Sequence, residues 1–320
     1  MSASRLQSTP ICPKCGYDQS GEIATWESQC PMAGRCPECG LDFDWCDVFD
    51  PVLNDLYWYI EHGKSVSAMI WRTPGTLARL VLPHRFWQAV DVTKRVSIGR
   101  LTIWVLLVMV FAHLLVSIPY GIGVWNQYNW QGTTLADYYA THGMHGPGKI
   151  GIDGLVAPAI RTNYRGGFGR PTSFSFRIGQ AHEIYDQLVK PTTFQIGFVL
   201  LWMIVLIAIP KTRQLVRVRW NHLGRAAVLS VLMLVLWFEF HRLIYGLMMW
   251  TGFRSGLIRE IHQLLVPLSI LWQAVFWGCV VVIGWRVNPW KGLVVLGTIA
   301  ALLGGTALRV HVFVSIASTI

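Results

Sequence analysis

Apolar residues gather into five long blocks in the last two-thirds of the chain. The first fifty positions hold few aliphatic residues. Leu101–Tyr120 carries no formal charge over twenty residues, and Phe194–Ile209 is a shorter apolar block that ends at Pro210. Ala226–Trp250 is long but contains Glu239, His241 and Arg242. Leu264–Trp285 and Gly292–Leu308 are uncharged, and the last block runs on toward Ile320 past Arg309. About twenty apolar residues in a helix cross a bilayer. The pattern therefore predicts a mainly α protein, a multi-pass transmembrane helical bundle of about five spans.

The segments between the blocks differ in kind. Val52, Leu53, Leu56, Tyr57, Tyr59 and Ile60 place an apolar stripe on a short helix over 52–63. Residues 64–98 mix Trp71, Leu77, Leu80, Phe86 and Trp87 with Lys64, Arg72, Arg79, Arg85, Lys94 and Arg95. That mixture predicts one or two amphipathic helices in the membrane interface, broken near Pro74 and Pro83. A soluble helical hairpin packed on the N-terminal domain is the alternative. Residues 121–193 are rich in Gly, Tyr, Trp and Asn and form a long non-cytoplasmic loop, with Trp125, Tyr128 and Trp130 as an aromatic belt. Three parts result: a small domain at 1–50, juxtamembrane helices at 51–100, and a transmembrane domain at 101–320.

Composition agrees with the pattern. Of 320 residues, 53% are hydrophobic and 14% charged, against about 25% charged in soluble proteins. The net charge of +10 is unevenly spread. Residues 1–61 hold three basic residues against ten acidic ones, a net of −7, whereas 62–100 hold seven basic residues against Asp91 alone, a net of +6. A basic flank suits an anionic cytoplasmic leaflet. The acidic N-terminal segment suits nucleic acid poorly, because phosphate binding needs Lys and Arg. Residues 1–11 lack the apolar core of a cleavable signal, so the first span is expected to act as an uncleaved anchor. Arg79, Arg85, Lys94, Arg95 and Arg100 before the first span, Lys211, Arg213, Arg217, Arg219 and Arg225 before the third, and Arg286 and Lys291 before the fifth share the cytoplasmic side under the positive-inside rule. The N-terminus is then cytoplasmic and the C-terminus non-cytoplasmic.

The N-terminal segment carries the strongest chemical motif. Cys12-Pro13-Lys14-Cys15-Gly16 and Cys36-Pro37-Glu38-Cys39-Gly40 are two copies of one pattern. Two thiolates two residues apart can face one ion only on a tight turn, which Pro restricts and Gly closes with a positive φ. Two such knuckles make a tetrahedral four-thiolate set for one structural Zn2+, with metal ligands Cys12, Cys15, Cys36 and Cys39. A redox pair or disulfides are the alternative, and a cytosolic compartment disfavours them. Cys30 and Cys46 are left over, and Cys279 lies inside a span as a small apolar filler. A domain of this size buries little core, so the ion supplies stability that packing cannot.

These residues, with Tyr17-Asp18, Thr25-Trp26, Cys30-Pro31 and Phe43-Asp44-Trp45, resemble a zinc ribbon. More narrowly they resemble the N-terminal module of a group of uncharacterised bacterial multi-pass membrane proteins, over about residues 10–50. The resemblance implies an architecture, and with it a bacterial inner (plasma) membrane, but no reaction.

Ionisable residues inside the spans are the other candidates. His113 in the first span and Glu239, His241 and Arg242 in the third are costly in lipid and form a possible intramembrane polar cluster. Glu239 and Arg242 share a helix face and can neutralise each other; the two histidines can be neutral and hydrogen-bonded. His142 and His145 with His182-Glu183 lack the arrangement of a zinc protease, and no nucleophile elbow, P-loop or dinucleotide fingerprint is present. Gly297, Ala301 and Gly305, four apart, favour close helix packing within the chain. Two functional classes follow. One is an adaptor or scaffold whose ribbon docks a soluble partner while the spans sit in the lipid bilayer. The other is a transporter, channel or intramembrane enzyme using the polar residues of the first and third spans. No catalytic motif supports an enzyme.

Overall fold

The computed structural model describes residues 10–27, 29–50, 52, 54–63, 65–130, 190–208, 217–251, 256–287 and 291–319. It divides into two compact units. One comprises Met1–Val105, Leu200–Ser230 and Gln273–Ala300; the other comprises Leu106–Val199, Val231–Trp272 and Ala301–Ile320.

The first unit opens with the cysteine domain: α1 (Ser20–Ile23), β1 (Ala33–Arg35), β2 (Asp42–Asp44) and α2 (Trp45–Phe49). β1 and β2 pair antiparallel, with Gly34 opposite Phe43. The two knuckles close identically: Gly16 N–H donates to Cys12 O at 3.0 Å and Gly40 N–H to Cys36 O at 2.9 Å. Both glycines have positive φ, +80° and +65°, the conformation the motif demanded. Leu41, Phe43 and Trp45 form a small core with the cysteines, and Trp26 meets Trp45 edge-on at 4.7 Å.

The connector departs from the expected pattern. Instead of a helix over 52–63 there is one 3-10 turn at Ile60–His62, fully buried. α3 (Val66–Leu80) starts at Ser65, whose Oγ accepts from Ala68 N–H, and runs through Pro74 rather than breaking there. Side chains on both sides of the proline anchor it, Arg72 donating to Tyr59 O and Thr76 to Trp58 O. The break falls after Leu80, and Pro83 occupies the first turn of α4 (Pro83–Ala89), where its missing N–H costs nothing. Trp87 of α4 is buried on Phe276 and against Gly284, where a Cβ would stand 2.7 Å from the indole.

The long helices are α5 (Ile98–Trp130), α6 (Lys190–Ala208), α7 (Trp220–Thr251), α8 (Gly256–Cys279), which passes into a π turn at Val280–Gly284, and α9 (Lys291–Thr319). Among the described residues, four stretches are long and apolar enough to cross a membrane: Ile98–Pro119, Trp220–Ile244, Pro267–Gly284 and Lys291–Leu308. A fifth apolar helical stretch, Ile196–Leu206, is shorter. Four of the five expected blocks thus meet the length of a span, and the short block lies in α6. Ile103, Leu107, Val110, Phe111, Leu114 and Ile118 of α5 are all exposed. A helix apolar on every face with that much of it uncovered belongs in lipid. α5 continues past Pro119 to Trp130, so the first ten residues expected in the loop are helical. The rest of the loop to residue 189, with His142, His145, His182 and Glu183, lies outside the described residues.

Small residues on α9 do bring helices together. In the first unit the Trp202 ring of α6 lies where a Gly297 Cβ would be, and it stacks on Trp277 at 5.8 Å. In the second unit a Cβ on Gly197 would stand 2.9 Å from the Gly305 Cα. In the first unit, α7 and α8 are joined by a buried polar pair, Ser230 Oγ donating to Gln273 Oε1 at 2.7 Å and Gln273 Nε2 to Ser230 O at 3.0 Å.

Candidate functional site

The four knuckle cysteines converge. Cys12 Sγ lies 3.7 Å from Cys39 Sγ and Cys15 Sγ lies 3.6 Å from Cys36 Sγ. All four sulfurs fall within 4.8 Å of one another, a somewhat looser set than the 4 Å or so that a bound ion would impose. Bonds of about 2.3 Å in a tetrahedron place sulfurs about 3.8 Å apart, so the two short pairs already match. Cys12 and Cys36 are buried, Cys15 and Cys39 half-buried. Hydrogen bonding from Cys12, against the cost of burial, brings the Cys39 pKa down to about 5. The bond to Cys39 and burial push Cys12 up, and burial pushes Cys15 up to about 11. Cys30 and Cys46 are both exposed, and Cys30 Sγ points at its neighbour's carbonyl, Pro31 O, at 3.4 Å. Four cysteines that could hold a metal ion are thus present, and neither spare cysteine is buried.

The first knuckle is also a docking element. Arg219 N–H donates to Lys14 O at 2.8 Å, and His222 Nε2 lies 2.9 Å from Pro13 O. Lys14 is itself buried, its Nζ donating to Arg286 O at 3.3 Å. Burial lowers its pKa, opposed by the negative charge of the cysteines. Arg217 Nη1 reaches Glu38 of the second knuckle, 3.2 Å from Oε2. The ribbon is therefore held on the start of α7 and on the chain just after α8, not tethered loosely to them.

A second constellation in this unit gave no motif. Glu61, on the 3-10 turn, and Arg225, on the second turn of α7, form a fully buried ion pair. Neither residue belongs to a sequence motif: Glu61 adds only to the acidic balance of residues 1–61, and Arg225 only to the basic flank before the third span. The one local signal is that each sits beside apolar residues, after Trp58-Tyr59-Ile60 and before Ala226-Ala227-Val228.

In the second unit, three of the expected intramembrane residues come together. His113 Nδ1 of α5 is 2.9 Å from Glu239 Oε1 and 2.9 Å from Arg242 Nη1. Arg242 Nη1 in turn donates to Glu239 Oε2 at 2.8 Å. Glu239 and Arg242 are buried, as the cost of a charge facing lipid requires. His241 lies about 200° round α7 from Glu239. It is half-buried.

Comparison with protein-family models, with curated proteins and with solved structures finds no match to this chain. The site geometry alone carries the functional argument.

Proposed function

We propose that this chain is a bacterial inner-membrane protein of five spans with a cytoplasmic, structural zinc ribbon. In this reading it acts as an adaptor or scaffold whose ribbon docks a soluble partner. Four soft thiolates on two knuckles suit Zn2+, and a closed set of four leaves no position for a reacting water, so the ion's role is structural. The observation that carries the adaptor reading is the division within the ribbon. The first knuckle is committed to the helix ends through Pro13 and Lys14, while the β1–β2 hairpin keeps Met32, Arg35, Asp42 and Asp44 exposed, Met32 at 90%. A rigidly held base with a presented hairpin is what a docking module needs.

The topology has support in the contacts. Residues 217, 219 and 286 touch the ribbon and so share its side. With α5 as a crossing, the return to the ribbon's side before residue 217 falls to α6. Its nineteen residues extend about 28 Å, close to the bilayer core. Val66, Ile70 and Trp71 of α3 are exposed and suit an interfacial helix within the 51–100 segment.

Photo-crosslinking in cells, with the reactive residue at Met32 of the full chain, tests the adaptor reading. A discrete protein adduct that disappears in a Cys36→Ser background is expected. Adducts equal to those from a control position at Val66, or none at all, would refute it.

The triad of His113, Glu239 and Arg242 favours a second reading, a transporter, channel or intramembrane enzyme, because three ionisable groups from two helices converge in the apolar part of the chain. Proteoliposomes that dissipate a pH gradient only with wild-type protein, and not with Glu239→Gln, would replace the adaptor reading with this one.

A further inference from the structure

The unit that contains the ribbon also contains a cavity of about 710 Å³, within the usual range for small-molecule sites. Three helix ends border it. Leu206 lies near the end of α6, Trp220 and Leu223 lie in the first turn of α7, and Trp285 directly follows the π turn after α8. The cavity therefore sits where three apolar helical stretches stop and charged residues begin, the level at which lipid headgroups lie.

Its lining is amphiphilic. Leu206, Leu223 and Trp285 supply an apolar wall, while Arg217 and Arg219 supply cationic groups. The local charges are unequal in their commitments. Glu38, the acid in the wall, is paired with Arg217. Lys14, behind Cys15, faces the cysteine cluster and the Arg286 carbonyl. Arg219 uses its backbone N–H on Lys14 O and lays its stem on Gly16, about 3.6 Å from where a Cβ would stand. Among the described residues its guanidinium has no hydrogen bond or ion pair. The first turn of α7 adds the positive end of a long helix dipole, although His222 N–H is already bonded to Arg219 O at 3.0 Å.

We propose that this cavity binds an anionic phospholipid. The headgroup phosphate lies on Arg219 and the first turn of α7, with Arg217 at the rim, and the glycerol and first acyl carbons lie against Leu206, Leu223 and Trp285. A free phosphate ester would use the same cations but leave the apolar wall idle, and a zwitterionic lipid would bring its own cation to Arg219. This assignment does not use the adaptor reading.

The test is native mass spectrometry of the full chain, released from neutral detergent with phosphatidylglycerol or phosphatidylcholine, together with competition by inorganic phosphate. Wild-type protein should retain phosphatidylglycerol about fivefold better than phosphatidylcholine, the preference one interfacial cation confers. Arg219→Gln should lose that preference and Arg219→Lys keep most of it. Zinc content, measured on the same samples, should be unchanged in both. Equal retention of the two lipids by the wild type would overturn the proposal, whether or not a variant folds. So would an undiminished preference in a folded Arg219→Gln protein, and so would displacement of the lipid by inorganic phosphate, which would make the ligand a soluble phosphate ester.

Discussion

Glu61 and Arg225, 164 residues apart, meet as a bidentate ion pair in the interior of the ribbon-bearing unit. Nε donates to Oε1 at 2.9 Å and Nη2 to Oε2 at 3.0 Å, with both residues fully buried. Tyr59 O–H adds a bond to Oε1 at 2.6 Å, Ser97 N–H one to Oε2 at 2.8 Å, and Arg225 also donates to Arg95 O at 2.5 Å. The pair thus ties the 3-10 turn, the chain entering α5 and the start of α7 to one point.

Removing one partner should be costly. Glu61→Gln keeps the shape but leaves a guanidinium uncompensated in the interior, for which about 3–5 kcal/mol is expected. The double change Glu61→Leu with Arg225→Met should recover much of that loss, because two buried charges are then absent together. Thermal unfolding of the purified protein in detergent measures both. A Glu61→Gln protein as stable as wild type would show the pair to be idle.

Acid should weaken this region in two steps. Burial holds the His62 pKa below its usual value, against the opposing pull of Asp55, and its Nδ1 accepts from Leu56 N–H at 2.6 Å. The folded state therefore prefers neutral His62. Its contribution is complete above the unfolded pKa near 6.5 and declines as pH falls through that value toward the lower folded one. Burial raises the Glu61 pKa, but Arg225, with the bonds from Tyr59 and Ser97, outweighs this and leaves it below its ordinary value. Glu61's contribution is then complete above about 4.3 and is lost only below it. The melting temperature should drop between pH about 7 and about 5, and His62→Asn, which keeps an acceptor near Nδ1, should flatten that slope. An identical slope in the variant would assign the loss to other groups.

The metal site should hold one zinc per chain by elemental analysis. Serine at Cys12, Cys15, Cys36 or Cys39 should abolish it, whereas serine at Cys30 or Cys46, both exposed, should not. Chelation should also disturb the emission of Trp26 and Trp45, which pack in the same small core, because binding free energy in so small a domain is folding free energy. Full zinc content in the Cys12→Ser protein would remove the four-thiolate assignment.

His113, Glu239 and Arg242 should behave as one unit. Stability losses from Glu239→Gln and Arg242→Gln should fail to add, with a coupling of about 0.5–3 kcal/mol in a double-mutant cycle. Strict additivity would mean that the 2.8 Å contact has no energetic weight.

The sequence by itself determined whatever depends on local spacing. The two C-P-x-C-G copies specify their own turns through Pro and Gly, so the convergence of four sulfurs needed only that the knuckles face each other. The apolar blocks in α5, α7, α8 and α9 were legible because a bilayer demands length and composition, both one-dimensional properties. The shared face of Glu239 and Arg242 followed from helical period alone. Tertiary structure decided the rest. No pattern within 52–63 reveals that Ile60–His62 is a buried 3-10 turn, since the charge of Glu61 is compensated in the interior by Arg225, far along the chain. Pro74 reads as a helix breaker, yet α3 passes through it because Thr76 and Arg72 anchor the helix to Trp58 and Tyr59. His113 meets Glu239 and Arg242 only because α5 and α7 are packed together at that level. Short-range chemistry, including the Glu239–Arg242 pair, is written in neighbouring residues, whereas the buried charge of Glu61 depends on a partner that only the folded chain brings within about 3 Å.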